Sequence, residues 1–481
     1  MLTNLAASAL LTLTTLPSAR NAPSAPEPIR TLLITGHNNH NWPYTSRLHR
    51  DTLEATGRFA VTITDDPART LADPKAIEGV RVFVLDYNDF GAPKRWGDAA
   101  EKNFVRAVQS GAGVVAVHSA NNAFPGWFEY EKMLGLMWRE GTGHGKFHAF
   151  DVEWTDADHP ITRGLSTFTA HPDELYHSLV NSHKVPFHLL GRALSSKDSG
   201  GTGRHEPMAL TLEFGKGRIF ATPLGHVWLN SEESKASVAD PRFKALLCRG
   251  TEWAATGAVT QGTTWSDTRP HNTLTDAEKK DGWMLLFDGV STPALRGWKK
   301  DALPARWVVK DGEFRLNKGE SEGGDVCTRE EYADFEFACD WKVAKGGNSG
   351  IMYRCTEDHT YPWETGPEMQ ILDNANHGDG KKPRTSAGSL YDLVECAFDV
   401  ARPAGEWNHA RLVVRGSRIE HWLNGFKVVD IDAASDDFKK RHAESKWPGM
   451  KDFNTKPKGR IALQDHGDEV AFRNLKVRVL K

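Results

Sequence analysis

The sequence predicts two regions of different fold class: a doubly wound, mostly parallel α/β domain and, after it, an antiparallel β-sandwich of the jelly-roll type. Two observations lead to this prediction. Between residues 29 and 258, apolar strand segments alternate with helical segments, which is typical of a parallel sheet covered on both faces. From Trp283 onward, strand segments recur about every ten residues, with Gly and Asn turns and no helical intervals.

Residues 1–28 are expected to be a signal peptide and spacer. An apolar run extends from Leu5 to Leu16, and a small-residue site follows that ends at Ala19. The run is shorter than the roughly 20 apolar residues of a transmembrane helix, so we expect export to the periplasm or the exterior and no membrane span. No Lys or Arg precedes the run, which leaves a buried or frayed N-terminal segment as the alternative.

Composition excludes one large class of partners. The net charge is −3, with 39% hydrophobic and 26% charged residues, which is ordinary for a soluble globular protein. Such a chain has no long-range field to attract nucleic acid or anionic lipid, so binding to a polyanion is not expected. The five cysteines lack metal-type spacing; they are expected to form one or two bridges in the C-terminal half or to be buried free thiols.

Polar side chains follow the strand segments of residues 29–258. In parallel sheets, ligands gather at the carboxyl ends of the strands, so we expect a pocket there. Thirteen of the 20 histidines precede residue 230, and histidine is both a proton shuttle and a common metal ligand. The pocket would act on a keto-sugar or hold a divalent metal; alternatively, several of these residues lie on the surface or cap a helix. The candidate residues are His37, His118, Asp173, Glu174 and His226.

Four motifs of this region occur in a characteristic order: ITGHN, VVAVHSAN, DELY and GKGRIFATPLGH. They resemble the ThuA-like (trehalose utilisation) family, which is related in fold to class I glutamine amidotransferases. Those enzymes carry a nucleophilic cysteine at the turn after the fourth strand, where this chain has His118. The region has one cysteine, Cys248, in a late helix, so cysteine-dependent amidotransfer is excluded.

A polar linker is expected at 259–274, and the sandwich at 275–481. Alternate residues of a strand point to opposite faces, so Glu368 and Gln370 share one face while Met369 and Ile371 share the other. By the same rule, residues 348 and 354 are expected on one face of their strand, and residues 464 and 466 on one face of theirs. If the sheet is curved, these polar residues converge. The predicted catalytic residues are His466, Glu368 and Arg354, and the predicted substrate-binding residues are Asn348, Gln370, Asp373, Tyr391, Asp392, Gln464, Trp363 and Trp422.

Each of these residues also has a structural interpretation. Glu368 could be a charge on an exposed strand face, and Arg354 could be its ion-pair partner or that of Asp373. His466 could be a packed histidine. Tryptophans in a sandwich more often belong to the core than to a sugar-stacking surface.

Six motifs span the second half: LTDAEKKDGWMLLFDG, GGNSGIMYR, GPEMQILDN, AGSLYDL, GEWNHARLVVRGSRIEHWLNG and GRIALQDHGDEVAFRNLKVR. Together they resemble the 3-keto-disaccharide hydrolase family, a concanavalin-like jelly roll of bacterial carbohydrate degradation. The resemblance implies cleavage of glycosides oxidised at C3. A C3 ketone acidifies the C2 proton, so a base removes it, the C1 aglycone leaves by elimination, and water adds.

This chemistry needs a base, a cradle for the enediolate and an acid. On these grounds His466 is the expected base, Arg354 with Asn348 the cradle, and Glu368 the acid. A divalent metal could replace the arginine, with Glu368, Asp373 and Asp392 as oxygen ligands. Two alternatives remain open: a conventional glycosidase with two carboxylates across the concave face, and a non-catalytic, lectin-like module.

Overall fold

The computed structural model describes residues 27–480 except 91–93, 268–269, 320 and 398. The expected signal peptide and spacer therefore lie outside the described residues, apart from positions 27 and 28. Among the helices of the described ranges, none is long and apolar enough to cross a bilayer.

The N-terminal half contains eleven strands and six helices in the described residues. The strands are β1 (Ile29–Ile34), β2 (Phe59–Thr64), β3 (Val82–Leu85), β4 (Gly113–Val117), β5 (Gly143–His144), β6 (His148–Trp154), β7 (Phe168–Asp173), β8 (Tyr176–His177), β9 (His188–Leu194), β10 (His205–Phe214) and β11 (Gly217–Thr222). The helices are α1 (Trp42–Glu54), α2 (Pro67–Ala72), α3 (Asp98–Gln109), α4 (Phe128–Leu134), α5 (Lys235–Ala239) and α6 (Pro241–Thr256).

Local sequence sets the ends of the longest of these helices, α6. The Asp240 side chain accepts a hydrogen bond from the backbone N–H of Arg242, and Pro241 occupies the first helical turn, where its missing N–H is no loss. The helix ends at Gly257, which adopts a left-handed conformation with φ of 80°.

Nine of the strands form one sheet in the order β2-β1-β3-β4-β11-β10-β9-β6-β7. The pairings from β2 to β11 are parallel, and those from β11 to β7 are antiparallel. The predicted mostly parallel sheet is therefore found only in one part of this half. The reason is that residues 148–214 contain no α-helix to serve as a crossover, so their strands return directly and pair antiparallel.

Helices cover both faces of the parallel part. Leu33 and Val115 pack in one apolar cluster with Phe243 of α6, whereas Leu32 packs in another with Phe104 of α3. Because the sheet is buried on both sides, its polar residues are confined to the strand ends. The loops after β1, β3, β4 and β11 thus meet at one edge of the sheet.

The C-terminal half consists almost entirely of strands. They are β12 (Met284–Leu285), β13 (Leu295–Gly297), β14 (Trp307–Lys310), β15 (Glu313–Leu316), β16 (Val326–Thr328), β17 (Phe335–Val343), β18 (Asn348–Cys355), β19 (Glu368–Leu372), β20 (Asn408–Arg415), β21 (Arg418–Leu423), β22 (Phe426–Asp432), β23 (Arg460–Leu463) and β24 (Val470–Val479). Two short helices accompany them, α7 (Asp276–Lys280) and α8 (Asp436–Ala443).

These strands form two antiparallel sheets that pack face to face, so the predicted β-sandwich is confirmed. One has the order β14-β15-β24-β17-β20-β21-β22, with β12 also paired to β24, and the other has the order β13-β16-β23-β18-β19. The core between them includes Trp341 from the first sheet and Ile351, Met369 and Ile371 from the second. The second sheet therefore has an outer face that carries the opposite parity, including Glu368.

The two halves contact each other directly. Arg47 of α1 donates a hydrogen bond to the carbonyl of Val400, and Arg402 forms an ion pair with Asp51. Between α6 and α7, where the linker is predicted, the described residues form no helix or strand. Four cysteines, Cys248, Cys327, Cys339 and Cys355, are buried free thiols.

Candidate functional site

Glu368 begins β19 and lies on the outer face of the five-stranded sheet. It pairs with Met352 of β18, and its carboxyl lies over Gly350, where a Cβ atom would overlap it. The last glycine of the GGNSGIMYR motif, Gly350, thus leaves room for the Glu368 side chain. Only 5% of Glu368 is exposed.

Burial gives Glu368 unusual acid–base properties. Loss of solvation raises the pKa of its carboxyl from 4.5 to about 8, the positive charge of Lys446 partly opposes this shift, and the negative charges of Asp325 and Asp379 add to it. Burial also raises the pKa of Asp325 to about 6. At neutral pH the Glu368 carboxyl is therefore mostly protonated, and it can donate a proton.

A pocket of about 290 Å³ opens on this face of the sheet. Glu368 itself does not line it, but Asp325 does, and the charge of Asp325 acts on the Glu368 carboxyl. We call it the Glu368 pocket. Aromatic residues form one wall: the rings of Tyr361 and Trp363 stack with centroids 5.4 Å apart, and Trp363 packs against the cluster that contains Met352, the strand partner of Glu368. An apolar wall with a few polar groups is typical of a small-molecule site. The lining residues are Trp298, Lys300, Pro304, Gly324, Asp325, Thr360, Tyr361, Trp363, Gln464, Asp465 and His466.

Three predicted residues, Trp363, Gln464 and His466, line this pocket. Gln464 follows β23, and its backbone N–H donates to the carbonyl of Gly350, which places it beside Glu368. His466 lies at the rim, with 49% of its side chain exposed and Nδ1 at 3.8 Å from Asp468 Oδ2. The neighbouring carboxylate suits a histidine that accepts and releases a proton, although the catalytic roles of these residues stay predictions.

Tyr391 and Asp392 lie beside Glu368 on a turn of the GSLYDL segment. The backbone N–H of Tyr391 donates to the carbonyl of Glu368, and its hydroxyl donates to Asp379 at 3.1 Å. Asp392 accepts the backbone N–H of Lys446, whose ammonium lies 4.3 Å from the centre of the Tyr391 ring. Asp392 therefore holds the segment that carries Lys446.

Arg354 does not reach the Glu368 pocket, so its predicted place in the oxyanion cradle is wrong. A register shift interrupts the pairing of β18 between Met352 and Cys355, and Arg354 adopts a left-handed conformation with φ of 55°. This bulge reverses the parity: Cys355 takes the outer face with Met352. The Arg354 guanidinium instead donates to the carbonyls of Ala333 and Gly416.

Two further predictions fail for identifiable reasons. Asp373 organises a turn, because its carboxylate accepts hydrogen bonds from the backbone N–H groups of Gly346 and Ala375, which hold its pKa below the usual value. Trp422 belongs to the opposite sheet, where its indole N–H donates to Glu420. Neither residue lines the Glu368 pocket.

Asn348 and Gln370 lie on the outer face, and the buried Asn348 Oδ1 has no hydrogen-bond partner among the described residues. The backbone N–H of Asn348 donates to Asp468, and the Gln370 amide oxygen accepts from the backbone N–H of Ile371. The expected oxygen ligands Glu368, Asp373 and Asp392 do not converge: within the described residues, the one group of side chains arranged to hold a metal lies in the other half.

That group, which we call the histidine cluster, consists of His40, His118, Glu174 and His226, whose ligand atoms all lie within 4.8 Å of one another. His118 follows β4 in a left-handed conformation with φ of 48°, and His226 follows β11. The strand order thus brings together residues that are 186 positions apart in the sequence, from 40 to 226.

Burial and mutual repulsion determine the protonation of the cluster. The pKa of His40 is lowered to about 3, chiefly by burial and then by the charges of His226 and His144. Burial likewise places the pKa of His118 well below its usual value and lowers that of His226. All three imidazoles are therefore neutral at pH 7, which is the form that binds metals.

His118, Glu174 and His226 were predicted for this pocket, and the structure places them together. Asp173 is buried beneath them, where it accepts the backbone N–H groups of Gly225 and His226. His37 points elsewhere, with Nδ1 at 2.6 Å from the carbonyl of Asn88. The metal-binding or catalytic role of the cluster stays a prediction.

Several residues of both sites were missed. His40 lies three positions beyond His37 in the same polar loop, so loop composition signalled a histidine there but not which one turns inward. Asp325, Asp379 and Lys446 come from segments whose approach to Glu368 depends on strand order. Nothing in the local sequence signals that approach.

Comparison with known proteins connects both halves to families. The family model of the 3-keto-alpha-glucoside-1,2-lyase-like domain matches residues 282–478, and that of the trehalose utilisation (ThuA) domain matches 30–254. The chain is 33% identical over 229 residues to a 3-keto-disaccharide hydrolase of Bacteroides thetaiotaomicron, a match that covers 42% of this chain and 79% of that protein.

Solved structures are similar to each half separately. A candidate glycosyl hydrolase from Parabacteroides distasonis is 32% identical, with a TM-score of 0.41, covering 44% of this chain and 100% of that one. A candidate ThuA-like protein from Parabacteroides merdae is 33% identical, with a TM-score of 0.44, covering 50% of this chain and 96% of that one.

Proposed function

Because this chain belongs to the 3-keto-disaccharide hydrolase family and carries a ThuA domain before that region, we propose that its C-terminal half cleaves glycosides already oxidised to a ketone at C3 of the sugar. The observation that carries the proposal is the buried carboxyl of Glu368, which lies on the same sheet face as an aromatic pocket with His466 at its rim. An elimination reaction needs an acid and a base, and these two side chains are the candidates for those roles.

The proposed reaction begins at C2. The ketone at C3 acidifies the C2–H bond, so a base can take that proton and leave an enediolate. The electron pair then forms the C1–C2 double bond while the C1–O bond breaks, and the departing oxygen takes a proton from the acid. Water adds across the double bond, so the overall change is hydrolysis.

His466 is the proposed base and Glu368 the proposed acid. His466 lies at the open side of the pocket, where a neutral imidazole can reach a substrate proton and Asp468 can stabilise the imidazolium that forms. Glu368 is buried next to Gly350 on the same face of the sheet, and its raised pKa keeps the proton available at pH 7. The opposite environments of the two groups give them opposite roles.

The enediolate oxygen needs a positive or hydrogen-bonding group that Arg354 does not supply. Lys300 and the amide of Gln464 line the pocket and offer such donors. Tyr361 and Trp363 present the apolar wall on which a sugar ring can stack. The pocket is large enough for one sugar ring with part of its aglycone.

The decisive experiment compares a 3-keto-glucoside with the same glycoside before oxidation. Cleavage of the ketone alone, lost in Glu368→Gln and in His466→Ala, supports the proposal. Cleavage of the unoxidised glycoside would favour a conventional glycosidase, in which Asp325 and Glu368 form the carboxylate pair. Binding of sugar without turnover of either compound would favour a lectin-like module and sink the proposal.

A further inference from the structure

We infer that the histidine cluster binds one divalent transition-metal ion, held by His40 Nε2, His118 Nε2, His226 Nδ1 and a Glu174 carboxylate oxygen. The inference concerns the N-terminal half, and it stands whether or not the Glu368 pocket cleaves keto-sugars. Four arguments support it: the spacing of the ligand atoms, their tautomers, the lack of protons between them and their chemical type.

The spacing of the ligand atoms matches a coordination sphere. His118 Nε2 lies 3.4 Å from His40 Nε2 and 3.2 Å from His226 Nδ1, and His226 Nδ1 lies 3.2 Å from Glu174 Oε2. Ligand atoms about 2.1 Å from one ion are separated by about 3.0 Å in octahedral and about 3.4 Å in tetrahedral geometry. These three distances fall within this range, and the other three pairs of ligand atoms lie within 4.8 Å.

Hydrogen bonds outside the cluster fix the tautomers of two ligands. His118 Nδ1 lies 2.7 Å from the carbonyl of Pro223, and His40 Nδ1 lies 3.0 Å from Asn38 Oδ1. A carbonyl oxygen accepts only, so each Nδ1 carries the proton and each Nε2 directs a lone pair into the cluster. Orienting hydrogen bonds of this kind are typical of metal-binding histidines.

The same tautomers leave the centre of the cluster short of protons. His118 Nε2 faces His40 Nε2, His226 Nδ1 and, at 2.9 Å, the hydroxyl of Tyr176. The Tyr176 hydroxyl carries a proton, and His226 Nδ1 lies 3.2 Å from a Glu174 carboxylate oxygen, but the Nε2 atoms of His40 and His118 face each other as acceptors. A cation beside them removes this repulsion, because both of these lone pairs then become ligands.

The chemical type of the ligands selects the class of ion. Three imidazoles and one carboxylate suit zinc, iron, cobalt, manganese or nickel, whereas magnesium and calcium prefer oxygen ligands throughout. The cluster lies at the carboxyl ends of the parallel strands, and the half-exposed ring of Trp228 stacks on His226.

The test is the metal content of the purified full-length chain, measured by mass spectrometry of the elements. After chelation and exposure to Zn²⁺ or Co²⁺ and desalting, we expect about one ion per chain in the wild type and less than about a tenth of this in His118→Ala and Glu174→Gln. The matched control is His188→Ala, an exposed histidine of the same half paired with Asp156, which should retain the ion.

Two readouts keep the result interpretable. Glu174→Gln conserves shape, so circular dichroism should show it folded, and its loss of metal then reports a ligand and not unfolding. In the Co²⁺ form, the visible absorption bands of nitrogen-coordinated cobalt should be present in the wild type and absent in His118→Ala. A wild type that binds no metal, or variants that retain it fully, would overturn the inference.

Discussion

The histidine cluster of the N-terminal half and the Glu368 pocket of the C-terminal half differ in how their side chains are supplied. The cluster is built at strand ends, by loops that a parallel sheet brings to one edge. The pocket is built on a strand face, where side-chain parity presents Glu368 and the adjoining loops cover it. The parallel sheet brings loops from distant parts of the chain together, whereas the β-sandwich presents side chains on the face of a sheet.

The chemistry of the two sites differs in the same way. In the cluster, three imidazoles and one carboxylate direct ligand atoms toward one point, an arrangement that favours binding a cation. On the Glu368 face of the sandwich, burial favours the neutral form of the Glu368 carboxyl, and the half-exposed His466 lines the pocket, an arrangement that suits proton transfer. Predictions that separate the two sites therefore test whether each half acts by its own chemistry.

The largest expected effect is on cleavage. Glu368→Gln removes the proton donor but keeps the shape, so kcat/KM on a 3-keto-glucoside should fall by about 10²–10⁴. The metal content of the histidine cluster should not change. Glu444→Gln, at an exposed position of the same half, is the control and should behave as wild type. A similar loss in both variants would contradict a specific role for Glu368.

The second effect is a pH dependence of stability. The folded pKa of Glu368 is about 8 and its ordinary value is 4.5, so the folded state binds this proton more tightly. The contribution of Glu368 is therefore fully present below pH 4.5 and lost as the pH rises to 8. Relative to Glu368→Gln, the wild type should lose on the order of a few kcal/mol over this interval. Urea unfolding of both proteins at pH 5 and pH 8 measures the difference. The same change in the free energy of unfolding for both proteins would refute the prediction.

Arg354 provides a prediction of intermediate size. Arg354→Ala leaves the carbonyls of Ala333 and Gly416 without their donor, so the free energy of unfolding should fall by about 2 kcal/mol. Because the guanidinium lies outside the pocket, kcat/KM of the folded protein should change less than about twofold. Arg415→Ala, at an exposed position, serves as control. Loss of activity with unchanged stability would contradict this prediction and would show that Arg354 takes part in catalysis or substrate binding.

The smallest effect concerns sugar stacking. Trp363→Ala removes one aromatic wall of the pocket, and a stacking contact of about 1.4 kcal/mol corresponds to a roughly tenfold rise in KM. Trp422→Ala, on the opposite sheet, should leave KM unchanged. Equal effects of the two substitutions would show that ring stacking at Trp363 does not bind the substrate.

Which residues were predicted correctly depends on the same two features: the face on which a strand residue lies, and the order of the strands in the sheet. Strand period alone predicted that Glu368 faces away from the core formed by Met369 and Ile371, and the sandwich bears this out. The prediction from strand period was wrong at Arg354. There, a register shift and the left-handed backbone of Arg354 turn its side chain away from the outer face of the sheet. A bulge of this kind leaves no clear signal in a run such as GIMYRC.

Residues that depend on strand order were harder to predict than residues that depend on parity. His118 and His226 follow strands whose ends were recognisable, whereas His40 needed the path of its loop to be known. The antiparallel part of the first sheet was missed because its strands lack the helical intervals on which the α/β pattern rests. Asp325 meets Glu368 through the pairing of β16, β23 and β18, which no local motif encodes.

Removal of the C2 proton is the step that separates the proposed elimination from ordinary glycoside hydrolysis. The most direct measurement uses a 3-keto-glucoside carrying deuterium at C2, with the product analysed by mass spectrometry. We predict that the wild type releases the deuterium to solvent water, and that His466→Ala does so far more slowly. A cleaved product that retains deuterium at C2 would contradict the proposed mechanism.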